Sequence, residues 1–77
     1  MTDTALLEKK IKDSGLKRGF IADKLGISYD WLKKKIAGEV QFKAIEIQIL
    51  CSVLNITDLK EKDRIFFAEN VEKTSTN

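Results

Sequence analysis

Apolar residues recur along the chain in short helical runs separated by glycine, and this punctuation predicts five helices. Leu7 and Ile11, one turn apart, give a buried edge to a first helix running from its cap, Thr4, to about Ser14. Gly15 stops that helix, and Leu16 follows as a core anchor in the loop. A second helix, from Arg18 to Leu25, carries Ile21, Ala22 and Leu25 on one side and is broken by Gly26. Its start is weakly marked: Lys17 is no capping residue, and Gly19 is either a tolerated cap or a costly interior glycine. Ile27 is expected in the core, and Ser28 caps a third helix from Tyr29 to about Ala37 that buries Leu32 and Ile36 and ends at Gly38.

After a loop containing Phe42, a fourth helix is predicted from about Ala44 to Leu54. Ile47, Leu50, Cys51 and Leu54 form one apolar stripe along it, and Ile45, Ile49 and Val53 form a second on the opposite side. A helix apolar on two faces must touch something with both. Either a fifth helix, capped by Thr57 or Asp58 and carrying Ile65, Phe66 and Phe67, folds back over the second stripe, or that stripe is an exposed patch for a partner. Residues 72–77 have nothing to bury and are expected to be disordered, leaving residues 1–71 as one domain.

Composition narrows the function classes. A chain of 77 residues supports one modest core, and a chain of this size buries only roughly 60–65% of its unfolded surface. The lone cysteine cannot staple the fold, and the absence of histidine removes the commonest general base and metal ligand. No apolar run approaches the roughly 20 residues that cross a bilayer, and MTDTALLEKK lacks a signal-peptide core. No set of carboxylates suggests acid–base work. The expectation is a cytoplasmic binding protein, not an enzyme, with no cofactor, metal, membrane or small-molecule substrate.

Charge adds a direction. Residues 17–43 hold seven basic side chains against three acidic ones, whereas residues 58–77 hold four against five. A basic middle and a slightly acidic end point to a polyanionic partner for the middle, or more blandly to a solvated lysine surface. The middle also contains RGFIADKLGISYDWLKKKIAG. Two short helices joined by so tight a turn require a small residue where they cross, here Ala22, and a residue tolerant of positive φ at the turn, here Gly26. Ile21, Leu25, Ile27 and Leu32 seal the joint.

In Ile21-Ala22, Leu25-Gly26-Ile27-Ser28, Leu32, Ile36-Ala37-Gly38, Phe42, Val53-Leu54 and Ile65-Phe66-Phe67, the chain resembles the Cro/repressor (Xre-type) helix-turn-helix family. The likeness spans roughly residues 5–70 and is closest to small phage and Gram-positive bacterial members. It implies an all-α five-helix bundle of the lambda-repressor-like DNA-binding type, with its third helix in the major groove of a double-stranded operator. Carried over to this sequence, Ser28, Tyr29, Asp30 and Lys34 become base readers, while Lys17, Arg18, Lys33 and Lys43 hold phosphates. Asp30 near phosphates lowers non-specific affinity unless it finds a cytosine or pairs with Lys34, and Lys35 sits at the edge of the inward face with its ammonium extended outward. Trp31 on the flank either packs beside the core or touches the DNA backbone.

The resemblance further implies a transcriptional regulator, a Cro-like repressor of phage or phage-like origin acting as a homodimer in a bacterial or phage-infected cell. The alternative is a protein-binding modulator, or anti-repressor, that uses the same scaffold to bind a partner repressor. In either case Ile45, Ile49, Val53, Phe66 and Phe67 form the candidate dimer or partner interface.

Overall fold

Short polar residues open α1, α3 and α5, and left-handed turns close the first four helices. The computed structural model describes residues 1–68, and these contain five helices and no strand. They are α1 (Thr4–Ser14), α2 (Arg18–Leu25), α3 (Tyr29–Ile36), α4 (Ala44–Val53) and α5 (Leu59–Phe66). The boundary at residue 71 and the tail expected from residue 72 lie outside the described residues.

Asp3, not Thr4, caps α1: its carboxylate accepts the Leu6 N–H at 3.1 Å, and Thr4 is the first helical residue. Aspartate outranks threonine as an N-cap, and the return of the chain adds a backbone tie at the same place. The Asp3 N–H donates to the Ile65 carbonyl at 2.7 Å, and the Ala68 N–H donates to the Met1 carbonyl at 2.9 Å. The first residues are thereby strapped in extended form along the end of α5, one step ahead of the expected cap. Asp58, one of the two caps expected for α5, accepts the Lys60 N–H at 3.2 Å. Lys17 is the N-cap of α2 without a side-chain capping bond, which leaves Gly19 in the first turn of the helix.

The helix ends share one device. At Gly26, φ is +72°, and the Ile27 and Gly26 N–H groups return to the Ala22 and Asp23 carbonyls, both at 3.1 Å. At Gly38, φ is +85°, and the Glu39 and Gly38 N–H groups return to Lys34 and Lys35. Asn55, at φ +59°, closes α4 in the same way, with Ile56 bonding back to Cys51 at 2.7 Å. This left-handed asparagine was not among the expected stops. The two glycines differ in surroundings: a Cβ at Gly26 would meet open space, whereas one at Gly38 would lie 3.2 Å from Thr4 Cγ2. Gly26→Ala should therefore cost only backbone strain, about 1–2 kcal/mol. Gly38→Ala should cost more, because the β-branched Thr4 has little rotamer freedom to yield. Thermal unfolding of the two variants checks the order, and equal shifts would mean that Thr4 moves aside.

Leu7, Ile21, Leu32 and Leu50 are fully enclosed, and Ile11, Ala22, Leu25, Ile36, Phe42, Ile47, Leu54, Ile56, Ile65 and Phe66 complete the core around them. Leu16, Ile27 and Cys51 are only half-buried against it, less than the sequence pattern led us to expect. In the packing, α2 lies against α3 and α4, while α5 lies against α1. Lys10 and Glu61 pair across that last contact at 2.9 Å. The second stripe of α4 divides between the two alternatives. Ile49 and Val53 are half-buried against the core, and Ile45 at the N-terminal end is 57% exposed. Phe66, expected at an interface, is 2% exposed; its ring meets that of Phe42 edge to face, with centroids 5.8 Å apart. Phe66 is a core residue, and Phe67 beside it is half-exposed. None of the described helices is long and apolar enough to cross a membrane.

Candidate nucleic-acid interface

The three-residue turn Gly26-Ile27-Ser28 delivers α3 onto α2 with one side closed and the other open. Ser28 Oγ accepts the Trp31 N–H at 3.0 Å, so its acceptor capacity caps the helix while its hydroxyl proton stays free to donate. Leu32 and Ile36 point into the core. Tyr29, Asp30, Trp31, Lys33 and Lys34 are all exposed, which brings three of the four candidate base readers onto one solvent-facing surface, with Ser28 at its start.

Within that surface, the Lys33 ammonium lies 5.6 Å from the centre of the Tyr29 ring, and Lys24 lies 5.2 Å from that of Phe20 on α2. A cation over an exposed ring adds only about 0.5–1 kcal/mol. Both lysines therefore keep nearly all their capacity for an external anion. The expected Asp30–Lys34 pair does not form; among the described residues the ion pairs are Lys9–Asp13, Lys10–Glu61 and Lys35–Glu46. Asp30 and Lys34 instead line one open hollow with Lys33, Ala37 and Glu39 at the C-terminal end of α3.

The candidate phosphate contacts are more scattered. Lys17 is exposed at the N-cap of α2. Arg18 is half-buried, its Nε is enclosed without a hydrogen-bond partner among the described residues, and it lines a shallow groove with Glu8, Lys9, Lys12 and Leu16 of α1 and the following loop. Lys43 is exposed at the N-cap of α4.

Lys35 does not behave as expected. Its side chain is 1% exposed, and its ammonium turns inward to Glu46 Oε1 at 2.7 Å and the Gln41 carbonyl at 3.3 Å. The same carboxylate oxygen accepts the Lys43 N–H at 2.8 Å. Trp31 and Phe42 flank the ammonium, with ring centres 6.0 and 5.9 Å away. The half-exposed Trp31 is thus one wall of this buried pair. Burial pushes the Glu46 carboxyl up, but the bond from Lys35, the Lys43 N–H and the charges of both lysines outweigh it and hold it below its ordinary value of 4.5. The signal was present in the sequence: Lys35 shares the inward half of α3 with Leu32 and Ile36, and Glu46 falls three residues after the N-cap, where a carboxylate reaches back to the backbone. Pairing the two required knowing that α4 starts beside the end of α3.

Burial, the largest influence on Cys51, keeps its thiol above the ordinary value and so protonated. No protein-family model, curated protein or solved structure matches this chain.

Proposed function

We propose that this chain is a sequence-specific duplex-DNA-binding regulator of Cro/repressor (Xre-type) helix-turn-helix design, a binding protein and not an enzyme. The observation that carries this reading is the open face of α3. A helix anchored by Leu32 and Ile36 on one side presents Tyr29, Asp30, Lys33 and Lys34 to solvent on the other, directly after a tight turn from α2. Lysine donates to guanine O6 and N7, aspartate accepts from cytosine N4, and a tyrosine ring lies against a thymine methyl, so this face carries both hydrogen-bonding and apolar readers. Lys17, Arg18 and Lys43, at the starts of α2 and α4, supply positive charge for the phosphates on either side. The chain acts as a Cro-like repressor, as a homodimer on half-sites about 34 Å apart.

Duplex-DNA binding at two salt concentrations tests this directly. With Lys33 also on phosphate, the four side chains Lys17, Arg18, Lys33 and Lys43 should give a log–log slope of affinity against salt of about −3 to −4 per half-site. Binding that is indifferent to salt, or no preference over random duplex, would overturn the reading. The exposure of Ile45 favours a second reading, in which the scaffold binds a partner regulator through the start of α4. Ile45→Ser should then abolish partner binding in a protein that binds duplex DNA weakly.

A further inference from the structure

The buried pair of Lys35 and Glu46 is out of proportion to what so small a core needs for cohesion. One carboxylate oxygen receives the ammonium of α3's last turn and the backbone N–H of α4's N-cap, while that ammonium also holds the Gln41 carbonyl. Three separate pieces of chain therefore meet at one atom pair: the reading helix, the loop from Ala37 to Lys43, and the start of α4. Two of these carry groups assigned to DNA above, the open face of α3 and the Lys43 side chain.

Packing of Leu32, Ile36 and Phe42 buries area but is non-directional, so it tolerates small slides and rotations of one element over the other. A charge-assisted hydrogen bond is short and directional, and the Lys35–Glu46 contact would lengthen if α3 turned relative to α4, whose N-cap bond from Lys43 fixes the carboxylate in place. Buried ion pairs contribute little net stability compared with apolar residues of similar volume, and a role in fixing one arrangement is the more natural account of such a pair.

We propose that Lys35 and Glu46 are positioning residues for DNA recognition: their shared contact locks α3 and the Lys43-bearing start of α4 into one binding surface of fixed geometry. The pair thereby sets discrimination between DNA sequences more than it sets fold stability. The inference rests on the duplex-DNA reading. Neither side chain touches DNA; both act through the placement of α3 and Lys43.

The test begins by letting the wild-type chain select a preferred duplex from a random-sequence pool. Lys35→Met/Glu46→Leu then replaces the pair by apolar residues of similar length, with folding checked by circular dichroism. The expected result is a discrimination ratio, preferred over scrambled duplex, reduced about tenfold or more, with affinity for the scrambled duplex changed by less than about twofold. Amide hydrogen exchange at residues 39–43, measured without DNA, should be faster than in the wild type. A folded double variant whose ratio stays within about twofold of wild type overturns the proposal while leaving the DNA reading intact. If the wild type selects no duplex at all, the DNA reading falls and this inference with it. Should the double variant fail to fold, Glu46→Gln keeps an acceptor for the Lys43 N–H but removes the charge. It should lose discrimination several-fold with the loop amides exchanging faster, and an unchanged ratio in that variant overturns the proposal equally.

Discussion

Lys35→Met alone should destabilise the protein far more than the double change of Lys35 and Glu46 to apolar residues. Removing one partner of a buried ion pair leaves the other charge uncompensated, at a cost of about 3–5 kcal/mol. Here Glu46, with its side chain 7% exposed, would keep only the Lys43 N–H as a partner. At roughly 0.05–0.15 kcal/mol per residue, a chain of 77 residues has about 4–12 kcal/mol in all, so the single variant stands at the edge of unfolding. Chemical denaturation of both variants checks this. A single variant as stable as the double would mean that water reaches Glu46 or that its carboxyl is protonated when Lys35 is gone.

The same pair gives the fold an acid limit. The Glu46 carboxyl is held below its ordinary value in the folded state, so folding favours its ionised form. That contribution is fully present above the ordinary carboxyl value of 4.5 and is lost as pH falls below it, through the lower value the group has in the fold. Unfolding midpoints measured on either side of that value should fall on acidification in the wild type and fall less in the Lys35→Met/Glu46→Leu variant. Equal slopes would place the acid sensitivity elsewhere.

What could be read from the sequence, and what could not, follows from the range of the interactions concerned. Gly15, Gly26 and Ser28 act on their own turns, so the limits of α1 to α3 followed from spacing alone to within a residue. Burial of Leu7, Ile21, Leu32 and Leu50 followed in the same way from helical period. Asp3 as the cap of α1 was open to a local reading, since aspartate outranks threonine as an N-cap, but the bond from its N–H to Ile65, sixty-two positions away, was not. Placement of Phe66 against Phe42, and of α5 on α1, is likewise a product of chain return. Lys35 shows the limit most clearly. A lysine on the border of an inward face can extend outward or turn in, and only a carboxylate supplied by the next helix decides between them. Among the candidate DNA contacts, the exposed face of α3 followed from period, because Tyr29, Asp30, Lys33 and Lys34 are simply the positions Leu32 and Ile36 exclude. The partial burial of Arg18 did not, since it depends on the groove beside α1.

Lys34→Ala and Lys33→Ala should weaken DNA binding in two different ways, and the difference separates a reading helix from a merely basic one. If Lys34 donates to a base edge, its loss should cost about 1–3 kcal/mol on the preferred duplex and little on a scrambled one. Lys33, one residue earlier and stacked near the Tyr29 ring, is assigned to phosphate. Its loss should lower affinity about equally on every sequence and reduce the salt slope by about 1. The double variant should lose both effects additively if, as proposed, the two ammonium groups contact different parts of the duplex. Asp30 sharpens the distinction: it lies exposed on the same face, without an ion-pair partner among the described residues. Asp30→Asn should therefore raise affinity for scrambled duplex, by removing repulsion from phosphates, while narrowing discrimination wherever the carboxylate accepts from cytosine. Binding measured for the wild type and all four variants on two duplexes at two salt concentrations resolves these patterns. Equal, sequence-independent losses for Lys33 and Lys34, with no change in discrimination for Asp30, would leave α3 as a phosphate-binding helix and move sequence recognition off this face.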